Sequence, residues 1–82
     1  MTYRVIPTKE FVKDFKKLDV YFQKKIKRKF DEVALNPERY KHMKFPWENY
    51  CRIRIGKLRI IFRYDISDKI LYINKIVFKH NY

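Results

Sequence analysis

The chain has 82 residues, with 21 Lys plus Arg against 9 Asp plus Glu, a formal charge of +12. That length is read as one domain over residues 1–82, and no apolar run nears the roughly 18–20 residues of a membrane span, so no membrane role is expected. Cys51 is the only cysteine, which excludes an intrachain disulfide and, with no signal-peptide core after Met1, makes the cytoplasm the expected location.

Thr2 to Ile6 alternates as a short strand, with Tyr3 and Val5 on one side and Arg4 on the other. Pro7 and Thr8 read as a helix start, after which Phe11, Phe15 and Leu18 recur on one face. Asp19 is the expected N-cap of a second helix whose apolar stripe is Phe22, Ile26, Phe30 and Val33. Five basic residues, Lys24, Lys25, Lys27, Arg28 and Lys29, surround that stripe. Asn36-Pro37 ends the helix, because proline disfavours helical geometry in the residue before it. Glu38 to Asn49 shows no period and reads as a loop, with room for one short strand near Tyr40 to Met43 or Phe45 to Trp47.

Three runs rich in β-branched and aromatic residues follow: Tyr50 to Ile55, Leu58 to Tyr64 and Lys69 to Phe78. Gly56-Lys57 makes a two-residue hairpin connection, and Asp65 to Asp68 makes the second turn. Helices followed by a run of strands predict an α+β fold, β-α-α-β-β-β, with two N-terminal amphipathic helices on one face of a small, mainly antiparallel sheet. Seven Phe, seven Tyr and one Trp supply its core, since each large ring buries about 150–250 Å². Cys51, at the head of the first of these strands, reads as a small buried thiol.

Side chains alternate along a strand, so Ile53 and Ile55 share one face while Arg52 and Arg54 share the other. In the next strand Leu58, Ile60 and Phe62 separate in the same way from Arg59, Ile61 and Arg63. Turning both aliphatic sets onto the helices leaves Arg52, Arg54, Arg59 and Arg63 on an open face. In the last strand Lys75 and Lys79 run in step with Leu71, Ile73 and Val77. Its faces therefore stay unassigned, and a central strand buried on both sides has this pattern.

An excess of twelve positive charges fits a protein that a polyanion or an acidic partner neutralises. Several arginines on one sheet face offer planar, bidentate donors of the kind that holds a phosphodiester. Tyr50, Tyr64, Tyr72 and Trp47 are candidates to stack on bases. No cluster has metal-ligand spacing, and neither a phosphate-cradling glycine loop nor a paired-carboxylate motif can be built around Gly56. No cofactor is expected, and chemistry falls to Arg, Lys, His and Tyr.

The element order, the segment Arg52-Ile-Arg-Ile-Gly-Lys-Leu-Arg-Ile-Ile-Phe62 and the ending Ile76-Val-Phe-Lys-His-Asn-Tyr82 resemble the RelE/ParE toxin superfamily over essentially the whole chain. The resemblance implies a small sheet backed by two helices and, on the RelE branch, a toxin of a type II toxin–antitoxin system that cleaves mRNA on the ribosome. Arg52 and Arg54 match the family's basic pair, Arg59 its active-site arginine, Lys79 a position that is often arginine, and Tyr82 the C-terminal tyrosine. Three departures stand out: Val77-Phe78-Lys79 replaces the usual Gly-His/Lys-Arg, the spacing from Lys79 to the tyrosine is short, and the chain stops at that tyrosine.

The catalytic set implied by the resemblance and by side-chain chemistry is thus Arg52, Arg59, Lys79, His80 and Tyr82, and Arg54, Lys57, Arg63 and Lys75 are expected to hold RNA. The implied reaction is attack of a 2′-hydroxyl on the adjacent phosphorus, without a metal, forming a 2′,3′-cyclic phosphate. Arginine is a poor base and Lys and Tyr need lowered pKa values, so His80 is chemically the best suited to proton transfer. Weak activity on free RNA is expected, because positioning by the ribosome can supply several kcal/mol. The resemblance further implies an acidic, RelB-like antitoxin that wraps the basic surface. Two alternatives remain: a ParE-like inhibitor of DNA gyrase, and a non-catalytic RNA- or ribosome-binding module.

Overall fold

The computed structural model of the protein describes residues 2–78. Its elements run β1 (Arg4–Pro7), α1 (Lys9–Lys16), α2 (Val20–Leu35), a 3-10 turn (Pro37–Arg39), β2 (Cys51–Ile55), β3 (Leu58–Asp65) and β4 (Ile70–Phe78). The four strands form one sheet in the order β1-β4-β3-β2. Only β1 is parallel to its neighbour, Val5 lying beside Leu71; the other two pairings are antiparallel. The predicted α+β architecture is the one observed.

The helices form where the caps and stripes place them. Thr8 Oγ1 accepts the Phe11 amide at 3.1 Å and so supplies one of the bonds that the first turn of α1 lacks. Asp19 occupies the N-cap position of α2 in extended conformation, but its side chain makes no capping bond. The helix connection is held instead by Gln23, whose Nε2 donates to the carbonyls of Phe15 and Leu18 at 3.0 Å each. Leu18 lies beyond the end of α1 yet packs against the core. In that core Phe11, Ile26, Phe30 and Val33 meet Ile53, Ile55, Leu58, Ile60, Phe62, Leu71, Ile73 and Ile76.

Gly56 closes the β2–β3 hairpin with φ +59°, between the terminal pair Ile55 and Leu58. In the second turn Asp65 Oδ1 accepts the Asp68 amide at 3.0 Å, and Lys69 adopts φ 55°, a left-handed conformation on a residue with a Cβ. The segment between the 3-10 turn and β2 contains one isolated bridge, His42 to Cys51, and no strand near Phe45 to Trp47.

The last strand corrects the sequence reading. Across β3 and β4 the register runs Ile61 to Lys75 and then Phe62 to Ile73, so Asn74 is an extra residue in β4. The bulge shifts the alternation by one: Leu71 and Ile73 face the core before it, and Ile76 after it. Lys75 consequently lies beside Ile61 on the open face. The strand is central, but it is not buried on both sides.

Candidate functional site

The face of the sheet away from the helices is built from two short, regular strands and the far half of a bulged one. In β2 the exposed side chains Arg52 and Arg54 alternate with the buried Cys51, Ile53 and Ile55. In β3 Arg59, Ile61 and Arg63 alternate with the buried Leu58, Ile60 and Phe62. Cross-strand register then brings these residues together. Arg54 lies directly opposite Arg59, and Arg52 opposite Ile61. On the other side of β3, Arg59 lies opposite Val77, Ile61 opposite Lys75, and Arg63 opposite Tyr72.

Five of the expected site residues, Arg52, Arg54, Arg59, Arg63 and Lys75, therefore share one surface, with Ile61 at its centre. Lys57 is exposed in the hairpin turn at the edge of this surface. Lys79, His80 and Tyr82 lie outside the described residues, so the expected proton-transfer groups are not part of this geometry.

Like charges directly opposite each other on adjacent strands are destabilising, and Arg54 and Arg59 form such a pair. Among the described residues the only ion pair is Lys29 with Glu32, on α2. Among the described residues the arginines of the face thus have no acidic partner. Arg63 is the exception in one respect: its guanidinium sits 4.1 Å from the centre of the Tyr72 ring, which orients it without neutralising it. Among the described residues no three His, Cys, Asp or Glu side chains converge, and no helix is long and apolar enough to cross a membrane.

Around the arginines the face acquires relief that the sequence did not disclose. The segment before β2 brings Trp47 and Tyr50 to one side, edge-on at 6.3 Å between ring centres. The N-terminus of α1 brings Glu10 to the other, beside Asn74 and Lys75, and a depression runs between the two sides over Ile61. Glu10 and Asn74 had no signal in the linear pattern, because their placement depends on where α1 docks and where the bulge falls.

One of the stacking candidates proves to be elsewhere. Tyr64 turns toward the helix side and meets Tyr3 edge-on at 6.2 Å, so it is not a stacking platform on this face. His42 Nδ1 donates to the Glu48 carbonyl at 2.6 Å, and Nε2 hydrogen-bonds the Tyr64 hydroxyl at 2.9 Å. Both ring nitrogens of His42 thus hold the loop in place.

With this geometry in hand, comparison with known proteins is informative. The family model described as "ParE toxin of type II toxin-antitoxin system, parDE" matches residues 5–77. Among solved structures, the RelBE2 toxin–antitoxin complex of Mycobacterium tuberculosis contains a chain with TM-score 0.86 and 20% identity, covering 96% of this chain and 100% of that one. The isolated RelE toxin of Escherichia coli gives TM-score 0.83 and 17% identity over 98% of this chain and 87% of its own. The RelB–RelE complex of Methanococcus jannaschii has a chain that is 27% identical, with TM-score 0.69, covering 89% of this chain and 88% of that one. A comparison with curated protein sequences gives no significant match. The structural likenesses carry the fold and the family model carries the membership: the chain belongs to the ParE toxin family of type II toxin–antitoxin systems, within the RelE/ParE superfamily.

Proposed function

We propose that this toxin is an endoribonuclease of the RelE kind, which cleaves mRNA on the ribosome in the cytoplasm, inhibits translation, and is restrained by an acidic, RelB-like antitoxin. The observation that carries this reading is the opposition of Arg54 and Arg59 on an open face that also holds Arg52, Arg63 and Lys75. Such a cluster is relieved by a phosphodiester, whose oxygens accept bidentate bonds from guanidinium groups. In the proposed reaction the 2′-oxygen bonds to the adjacent phosphorus as the bond to the 5′-oxygen breaks, leaving a 2′,3′-cyclic phosphate and a 5′-hydroxyl. Charge gathers on the non-bridging oxygens during this step, and Arg59 and Arg52 are the groups proposed to stabilise it. Proton transfer is assigned to Lys79, His80 and Tyr82, with His80 the best matched to neutral pH. Dependence on the ribosome follows from a face that binds phosphate well and has little machinery for positioning a 2′-hydroxyl.

The antitoxin proposal rests on complementary charge. Val20, Tyr21 and Leu35 of α2 are each more than 60% exposed, beside the basic run Lys24 to Lys29. Exposed apolar side chains at the two ends of a basic helix suit an acidic amphipathic segment that folds as it binds. Complexes with RelB partners are known for the similar toxins of Pyrococcus horikoshii and Methanococcus jannaschii.

The ParE family model favours a second reading, inhibition of DNA gyrase. In vitro translation of a defined mRNA with the wild-type protein and Arg59→Ala, with RNA ends mapped by primer extension, separates the possibilities. The expected result is new ends in the A-site codon that fall by about 10²–10³-fold in the variant. Arrest without new ends would point to a non-catalytic RNA- or ribosome-binding module, and undisturbed translation would bring gyrase inhibition forward.

A further inference from the structure

Charge accounts for only part of the open face. The depression over Ile61 has a volume of ≈ 460 Å³, within the roughly 300–1,000 Å³ typical of small-ligand sites. Its floor is Ile61, the one side chain between Arg59 and Arg63 on this face of β3, whose cross-strand neighbours are Arg52 and Lys75. Strand register thus sets Arg52, Arg59 and Arg63 around Ile61, while Lys75 lines the depression itself, an arrangement that suits a base with its flanking phosphates. One wall is aromatic. Trp47 remains 56% exposed and is braced edge-on by Tyr50 at 6.3 Å, so an indole face is free to stack.

The opposite wall is polar and of mixed character. Among the described residues Glu10 is the only carboxylate lining the depression, and a carboxylate repels phosphate. The edge that meets Glu10 is thus the base and not the backbone. Glu10 forms no ion pair with Lys75 among the described residues, which leaves an acceptor and a cationic donor side by side. Asn74, the bulge residue, adds a third group. Its carbonyl is fixed by the Thr8 hydroxyl at 2.7 Å, while its side-chain Oδ1 is buried with no hydrogen-bond partner among the described residues. Unpaired acceptors of this kind are uncommon in folded proteins and call for a donor; a turn of the amide toward the depression lets a base N–H supply it.

We infer that this depression is a nucleobase pocket selective for guanine, an inference that rests on the RNA-binding reading of the face. Guanine is the base whose pairing edge carries adjacent N1–H and N2–H donors beside the O6 acceptor. Glu10 accepts from the two donors, Lys75 donates to O6, Trp47 stacks on the ring, and Arg52, Arg59 and Arg63 hold the phosphates. Single-stranded RNA exposes this edge, which proteins read by hydrogen bonds once the base is unstacked.

Trp47 is the only tryptophan in the chain, so its fluorescence reports occupancy directly. The probes are 2′-O-methyl hexanucleotides, which lack the attacking hydroxyl: all uridine, or uridine with one central guanosine or one central adenosine. A labelled copy of each gives total binding by anisotropy. The guanosine probe is expected to quench Trp47 saturably and to bind about tenfold more tightly than the uridine probe, the scale of one good bidentate contact. In Glu10→Gln that preference shrinks to about twofold or less, while the uridine probe binds equally or more tightly because a negative charge is gone. A merely structural role for Glu10 would weaken all probes together. Equal affinity for the three probes, a preference for adenosine, or a guanosine preference unchanged in Glu10→Gln would overturn the guanine pocket and leave the RNA-binding face standing. Failure of every probe to bind, by both readouts, would overturn the face and the pocket alike.

Discussion

Cys51 and Tyr64 illustrate how burial at single residues sets a pH limit on the whole protein. Cys51 is fully buried, and burial pushes its thiol above the ordinary value of 9.0. The Tyr64 phenol is likewise raised above 10.0, first by burial and then by the negative charges that Cys51, Glu38 and Tyr3 present to it. Both groups are charged only when deprotonated, so the folded state holds its protons more tightly than the unfolded chain. Below about pH 8 both states are protonated and these groups contribute no slope. As pH rises through the unfolded values the unfolded chain releases protons first, and stability falls. Urea denaturation between pH 8 and 10.5 is expected to show this decline, and Cys51→Ala should flatten its lower part while lowering stability at pH 8 through a small cavity. An identical slope in the variant would remove the thiol from the explanation.

At the scale of elements, the bulge at Asn74 and the start of α1 form one device. The Thr8 hydroxyl accepts the Phe11 amide and donates to the Asn74 carbonyl, so a single oxygen caps the helix and satisfies the bulge. Thr8→Val keeps the shape and strands both partners. We expect a loss of about 2 kcal/mol, the sum of a lost cap and an unpaired carbonyl, measurable in chemical denaturation with the Lys75 region opening first in hydrogen exchange. A loss below about 0.5 kcal/mol would mean that water replaces both bonds.

The same device marks what the sequence made legible. Arg52, Arg54, Arg59 and Arg63 could be placed on one face because β2 and β3 alternate without interruption around the Gly56 turn. Lys75 could not, because one inserted residue inverts the phase of β4, and linear spacing carries no sign of which residue is extra. The aromatic stripes located both helices, since helical periodicity depends on local spacing alone. Glu10 reaches the site through helix docking, which is tertiary and leaves no local pattern, whereas Trp47 is a stacking candidate from residue type alone. The Asp19 position was legible as a cap from residue type, but its side chain makes no bond, and Gln23 supplies the connection instead.

For the whole molecule, the +12 charge has two opposite consequences for the same variable. Among the described residues one ion pair, Lys29 with Glu32 at 3.6 Å, is all that offsets the basic surface internally, so the folded state carries considerable self-repulsion. Added salt screens that repulsion, with a Debye length of about 10 Å at 0.1 M, and the free toxin is expected to melt at a higher temperature as sodium chloride rises from 10 to 200 mM. RNA binding moves the other way. If Arg52, Arg54, Arg59, Arg63 and Lys75 each neutralise a phosphate, the slope of log K against log salt is about −3.5 for a single strand, at about −0.7 per contact. Arg54→Ala should reduce that slope by about 0.7 and at the same time raise the melting temperature, because it removes the like-charge contact with Arg59. A variant that weakens RNA binding while stabilising the protein distinguishes an arginine held on the face for a ligand from one held there for the fold; a lower melting temperature in Arg54→Ala would assign that arginine to the fold.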